Sequence, residues 1–389
     1  GKFAGIGTLA GTIVYDATKT SLEYFNGSLW VPTSSSVPIL TSVSGNIISS
    51  NASTITLAGE GFGAANLIVN FVQSSDSINE SVTVTPSSGG AASVAVPADV
   101  YNDVTAGNAV TIKVTNSEGL VSNTVTHTAI ALPSGGSVSS SGNYRIHQFT
   151  SSGTFVNTIS SLSVEYLVIA GGGAGGVGDQ GANAYGGGGG AGGYRTNVTG
   201  QTSGASSSAE AALSLSTGNK TVTVGAGGAG TSGDNQVGTN GGDSVFDSIT
   251  SIGGGRGGAN STDGSSGGSG GGGKESDGAG QSGTAGQGTA GGTGSEGGNR
   301  GGGGGGASVA GGTSVGGDGL SNNITGSAVT RAGGGGSNGS GGTGGGGAGG
   351  SPTGGAASGS TGSGGGAGTV NSGNGGSGIV IVRYLVTGL

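Results

Sequence analysis

The residues whose spacing most resembles a chemical site are glycines. Gly171, Gly173 and Gly176 spell G-x-G-x-x-G directly after the apolar run Val164–Ile169, a pattern that can seat a dinucleotide pyrophosphate on a helix N-terminus. That chemistry also needs a helix opening at the third glycine and an acidic residue about 20 positions on. Here GVGDQGANAYGGGGG follows, with no helix former. Gly268 to Lys274 gives G-x-x-x-x-G-K, but Glu275 stands where a Mg²⁺ site needs Ser or Thr. With 102 glycines in the chain, both matches are expected by chance, so no nucleotide or other cofactor is assigned. His127 and His147 each sit in an alternating strand pattern without a Cys, His or carboxylate at ligand spacing, and read as packed or surface strand residues. Asp243 and Asp247 lie four apart in one predicted strand. Their side chains then share a face, which allows a weak calcium site, although loop carboxylates are ordinarily just solvated. No carboxylate pair of the kind a glycan-cleaving groove requires stands out, and the catalytic and metal assignments are therefore none.

Composition points the same way. Charged residues are 8%, aromatics 4% and histidines 2, so acid–base groups are scarce. Cysteine is absent, which excludes disulfides and thiolate metal sites. A formal charge of −8 argues against a nucleic-acid surface. No apolar run reaches the length of about 18 residues that a spanning helix needs, so no membrane insertion is expected. Methionine is also missing, and Gly1 reads as a processed end or a boundary within something longer. Asn-x-Ser/Thr occurs at Asn26, Asn51, Asn79, Asn197, Asn260, Asn323 and Asn338, a frequency that a Ser/Thr-rich chain reaches by chance.

The elements that must position any site are strands. Val, Ile and Thr alternate in short runs while helical periodicity is missing, so the fold class is all-β. The one helix-tolerant stretch is Ala205–Leu215. Residues 1–36 read as a β-meander turning at Asn26–Gly27, since both positions of a type I′ turn need positive φ. So small a meander needs a neighbour against which Phe3, Tyr15, Phe25 and Trp30 can pack, with sugar stacking at Trp30 the functional alternative. Residues 37–132 read as an immunoglobulin-like sandwich, with strands near Ile39–Ser42, Thr54–Ala58, Leu67–Phe71, Glu80–Thr85, Ala92–Val96, Val110–Thr115 and Val125–Ile130. Residues 133–143 read as a linker, and 144–389 as a glycine-rich domain opened by strands Tyr144–Phe149 and Gly153–Val156.

Residues 170–378 are glycine-rich yet bracketed by VEYLVI and IVIVRYLV, two runs suited to pair and close a domain. Collagen fails, because it needs Gly at every third position and abundant proline, and the chain has 6 Pro. A flexible linker would not carry the strand-like insertions Lys220–Val224, Asp243–Ile252 and those near Ile324–Val329. The remaining solution is the polyglycine II helix, three residues per turn with all its hydrogen bonds made to neighbours. Gly301–Ala307 would span about 20 Å at its rise of ~3.1 Å per residue. Any Ala or Ser inside a run is expected to point to the outside of the bundle.

FTSSGTF (149–155), VEYLVIAGGGAGG (164–176), GGGGGAGGYRT (186–196), KTVTVGAGGAG (220–230), GGDSVFDSITSIGGGRGG (241–258) and GGSGIVIVRY (375–384) together resemble the glycine-rich domain of bacteriophage tail fibres and their receptor-binding tips. The resemblance covers residues 144–386 and implies a β-framework, packed polyglycine helices, and loops that touch a host surface. Ser265–Ala290 departs from it, with looser glycine runs that read as a loop exposing Lys274, Glu275 and Asp277. LAGEGFG (57–63) and KVTNSEGLVSN (113–123) resemble the IPT/TIG family of immunoglobulin-like domains, which implies a spacer or interaction module. GTIVYDATKTSLEYFNGSLWVP in the meander resembles a short repeat of phage fibres.

These resemblances imply a non-catalytic virion fibre protein, found on a tail or capsid fibre and extracellular, that assembles as a homotrimer with other fibre or tail proteins. It would attach to a host-surface glycan or outer-membrane protein. A capsid-attached decorative fibre and a bacterial surface or secreted adhesin are the alternatives. Loops Val177–Ala184, Thr231–Thr239 and Asn260–Gln281 supply the candidate receptor contacts: Asp179, Gln180, Asn183, Tyr185, Asp234, Asn235, Gln236, Lys274, Glu275 and Asp277. Arg256, Arg300 and Arg331 stand at the ends of other glycine runs, while Tyr194 and Arg195 read as framework.

Overall fold

A computed structural model describes residues 13–16, 21–25, 30–32, 37–179, 184–259, 261–295, 300–350, 353–367, 370, 372–387 and 389. They fall into two compact units, Gly1–Leu132 with Thr387–Leu389, and Pro133–Val386. Among the described residues the chain is all-β, with one short α-helix.

In the first unit, Ile13–Asp16, Ser21–Phe25 and Trp30–Pro32 form an antiparallel meander in which Phe25 pairs with Trp30. The Asn26–Gly27 turn, Phe3 and the side chains of Tyr15 and Trp30 lie outside the described residues. The seven expected strands of the sandwich are all present. Ile39–Gly45, Thr54–Glu60 and Ala91–Ala95 make one sheet. Val125–Thr128, Ala109–Thr115, Leu67–Gln73 and Ile78–Val84 make the other, in that order. Alternation decides which side chains face inward. Ile55 and Leu57 from the first sheet meet Val69, Phe71, Val110 and Ile112 from the second in one buried cluster, while the intervening threonines face solvent. The helix, Ala98–Asp103, was not expected from the sequence. Its signals are local and small: Pro97 at its start, Asp99 in its first turn and one inward residue, Val100. Conversely Ala205–Leu215 makes only a 3₁₀ turn at Gly204–Ser206 and short strand pieces.

The second unit is framed by the two bracketing runs. Leu162–Ile169 and Ile379–Leu385 pair antiparallel, with Ile169 opposite Ile379 and Tyr166 opposite Val382. Tyr144–Phe149 lies on the other side of Ile379–Leu385. Ser137–Ser141 forms the edge beyond it, so part of the stretch read as a linker is a strand. Its run of serines carries no hydrophobic alternation, and backbone pairing alone holds it. The two faces of this sheet have different neighbours. His147 and Tyr166 face a smaller sheet of Gly153–Asn157, Gly218–Thr223, Ser244–Phe246 and Ile249–Ser251, where they meet Phe155 and Phe246. Ile146, Leu167, Ile169, Ile379 and Ile381 face the glycine runs.

Those runs form a hydrogen-bonded lattice of polyglycine II type. In 170–177, Ala170, Gly173 and Gly176 donate their N–H groups to Gly193, Gly190 and Gly187; Gly171, Ala174 and Val177 donate to Gly242, Thr239 and Gln236; Gly172 and Gly175 donate to Gly376 and Gly373. Every third residue reaches the same neighbour, which is the signature of three residues per turn. Run 186–193 is enclosed on six sides. It donates to runs containing Gly255, Gly305 and Gly362, and accepts from runs containing Gly173, Ser269 and Gly335, at 2.7–3.0 Å. The runs must be glycine because the lattice leaves no room for a side chain. A Cβ on Gly188 would land on the carbonyl oxygen of Gly335, and one on Gly304 on that of Gly189.

Two expectations are corrected here. Ala191, Ala307 and Ala332 point inward, into the cluster with Leu167, Ile169 and Tyr194, because run ends meet the apolar face of the sheet and a methyl there buries more surface. Ser269 and Ser337 are also buried, donating to the carbonyls of Gly306 and Gly186 at 3.0 and 2.8 Å. Nor is Ser265–Ala290 a loop. Gly268, Ser269, Gly272 and Gly273 bond to Gly253, Ala191, Gly188 and Gly292, so this stretch is part of the lattice; its interspersed Ser, Thr and Gln residues conceal a run from sequence inspection.

Three substitutions have outcomes measurable by denaturant or thermal unfolding. Gly188→Ala should destabilise the glycine-rich unit by about 2–3 kcal/mol or more through overpacking, while Gly359→Ala, whose Cβ would meet nothing within 4 Å, should be neutral or gain up to ~1 kcal/mol. Phe71→Ala, fully buried in the sandwich, should cost about 3–5 kcal/mol.

Candidate functional site

The direction of the glycine runs decides where their loops gather. Run 170–177 leaves the sheet at Ile169, and run 372–378 re-enters it at Ile379. Their far ends, with those of the runs hydrogen-bonded beside them, lie away from the frame. There the three candidate loops meet. Val177 donates to the carbonyl of Gln236 at 2.7 Å, and Asn235 to that of Gly178 at 3.1 Å. Asn235 and Ser261 bond reciprocally, side-chain amide to hydroxyl and backbone N–H to amide oxygen, both at 2.9 Å. Lys274 lies 3.7 Å from the carboxylate of Asp263, and the carbonyl of Tyr185 accepts from Gly301 at 2.8 Å.

The candidate residues differ in what they offer. Asp234, Gln236 and Asp277 are exposed, while Asp179, Tyr185, Asn235 and Lys274 are half-buried. Gln180 and Asn183 lie outside the described residues. Glu275, expected to be exposed, is only 6% accessible. It stands two residues beyond the close-packed run Gly270–Gly273 and is drawn down with it. Its Oε2 is buried without a hydrogen-bond partner, and burial, then the nearby Asp179 carboxylate, raises its pKa above the ordinary glutamate value. The face therefore presents mainly amide and carboxylate groups on short, hydrogen-bonded loops, suited to polar recognition of hydroxyl or cationic groups.

The other sequence candidates are structural. Tyr194 is fully buried against the sheet. Arg195 makes a two-pronged pair with Glu210 at 2.7 Å, and Glu210 also accepts from the Tyr166 hydroxyl at 2.7 Å. Sequence inspection passed over Glu210, a lone acid in an Ala/Ser stretch whose partners lie far away along the chain. Arg300 is exposed, Arg256 half-buried and Arg331 buried. His147 is wholly buried, with Nδ1 2.8 Å from the carbonyl of Gly135 and its ring stacked on Tyr384; burial holds its pKa below the usual histidine value. His127 is half-buried on its strand.

Asp243 and Asp247 do not share a strand face. Asp247 sits in the turn between Ser244–Phe246 and Ile249–Ser251 with φ 52°, and Asp243 accepts the N–H of Gly253 at 2.7 Å. Two short strands joined by a tight turn look like one long strand in sequence. Among the described residues no three His, Asp or Glu side chains gather as a metal site. Gly171, Gly173 and Gly176 lie in the lattice and bond to neighbouring runs.

No curated protein matches the chain. Among solved structures, the chain is similar to the FN1–FN3 domains of chicken CNTN1, at 16% identity and TM-score 0.19, over 39% of this chain and 56% of that one. The family model of the glycine-rich domain matches residues 150–385, from just before the strand Gly153–Asn157 to the end of the strand Ile379–Leu385. That span is more than half of the sequence and contains the whole polyglycine lattice, and the chain belongs to the glycine-rich domain family.

Proposed function

We propose that this chain is a non-catalytic fibre protein of a virion, a phage tail fibre or its receptor-binding tip, which attaches the particle to a host surface. The observation that carries this reading is the convergence of Val177–Asp179, Thr231–Thr239 and the stretches at Ser261 and Lys274 at the end of the glycine lattice away from the sheet. A lattice in which backbone bonds carry the structure is stiff and presents loops that can vary without disturbing the core. The exposed polar groups there, Asp234, Gln236 and Asp277, suit a surface glycan or the polar rim of an outer-membrane protein. The sandwich, read as an IPT/TIG-like spacer, sets reach, and the meander, too small to carry a core alone, is completed in a homotrimer alongside other fibre or tail proteins.

Mass spectrometry of purified particles tests the location: the chain should be a stoichiometric virion component, and its absence there in favour of a bacterial envelope fraction would make it an adhesin instead. For attachment, the purified full chain should bind host cells and compete with infection. Asp234→Ala combined with Gln236→Ala should weaken that binding about tenfold without shifting the unfolding transition. Unchanged binding would remove these loops from the contact surface.

A further inference from the structure

In the glycine-rich unit Arg331 and Arg383 are buried, while Arg145, Arg195 and Arg256 are half-buried, the Nε of Arg145 and of Arg256 without a hydrogen-bond partner. Arg195 lies 2.7 Å from Glu210 and Arg383 lies 2.7 Å from Glu165. Arg331, only 7% accessible, has neither an ion pair nor a side-chain hydrogen bond among the described residues, and its Nη1 is buried without a partner. Guanidinium does not deprotonate to escape burial, and a buried uncompensated charge is strongly unfavourable.

The groups around it are hydrogen-bond donors. Arg331 pairs with Leu320 across the hairpin Leu320–Asn322/Val329–Arg331, and Asn322 stands two residues along on the same face. That face is the buried one, with Asn322 1% accessible. It packs on the Tyr194–Thr196 strand: Leu320 joins the cluster that holds Tyr194, and the Asn322 amide nitrogen lies 3.5 Å from the Thr196 hydroxyl. The oxygen of Asn322 is already used, accepting from Ile324 N–H at 2.9 Å. The Tyr194 hydroxyl is buried without a close hydrogen bond; burial raises its pKa, and the Arg331 charge and the adjacent Asn322 amide act against that rise. No carboxylate makes an ion pair with Arg331 among the described residues; Glu165 pairs with Arg383 instead.

We infer that Arg331, Tyr194 and Asn322 form a binding site for a small monovalent inorganic anion of chloride size, accepting from the guanidinium, the phenol and the amide. The anion supplies the acceptor that neither the sheet nor the glycine lattice provides, and it fastens the 320–331 hairpin to the frame. The surrounding apolar side chains, Leu320, Ile324 and Ala332, offer no further donors to the several oxygens of an oxyanion, which favours a monatomic ion.

The test uses the full chain and chloride itself as the probe. At constant ionic strength, replacing gluconate by chloride should raise the unfolding temperature of the glycine-rich unit saturably, by about 4 °C. Tyr194→Phe, which removes only the hydroxyl, should weaken the apparent chloride affinity about tenfold, and Arg331→Gln should abolish the dependence. Crystals grown in bromide should give an anomalous peak beside Arg331 Nη1, a readout independent of any variant. An unfolding temperature indifferent to chloride, a chloride dependence retained in both variants, or bromide crystals without a peak at Arg331 would each overturn the site and leave water as the bridging acceptor.

Discussion

The glycine-rich unit depends on a backbone hydrogen bond made sideways. A polyglycine II run forms none within itself, so every buried N–H and C=O must find a neighbour, and the closeness this requires is available only where no Cβ intervenes. Run 186–193 shows the consequence: six surrounding runs serve one strut. Ordering glycine is costly in entropy, and a single run would not stay folded. Cooperation among runs offsets that cost, because each added run satisfies donors on one neighbour and acceptors on another.

The lattice needs a boundary, and the sheet supplies it. Tyr166–Ile169 and Ile379–Val382 are apolar on both faces because one face meets a small sheet and the other meets glycine. At the glycine face, alanines replace glycines and Tyr194 turns inward. Charge is introduced sparingly and is mostly tied down. Glu165 with Arg383, whose guanidinium lies 4.3 Å from the Tyr144 ring, and Glu210 with Arg195 and Tyr166 pin elements far apart in sequence. The frame fixes where runs begin and end, and so where loops emerge.

Much of the fold was legible because short-range rules govern it. Period-two alternation marked all seven sandwich strands, since each buries one face. The two bracketing runs announced their own pairing, because two largely apolar strands in so polar a chain have little else to bury against. Legibility failed where the decisive partner was distant. Glu210 carries no local sign of Arg195, and Ser137–Ser141 has no pattern because only its backbone is used. The candidate loops were found by elimination, as polar stretches between runs. Their order along the chain did not reveal that Glu275 would be buried beneath them.

The sequence by itself determined the class of each segment: strands where β-branched residues alternate, and close-packed backbone where side chains vanish. These are properties of the residues and their immediate neighbours. Tertiary structure alone decided which run lies beside which, that Ala191, Ala307, Ser269 and Ser337 point inward while Ala226 and Ala348 are exposed, and that the dispersed loops share one end. Those outcomes depend on which carbonyl lies next to which N–H across the lattice, and one glycine is indistinguishable from another until that register is formed.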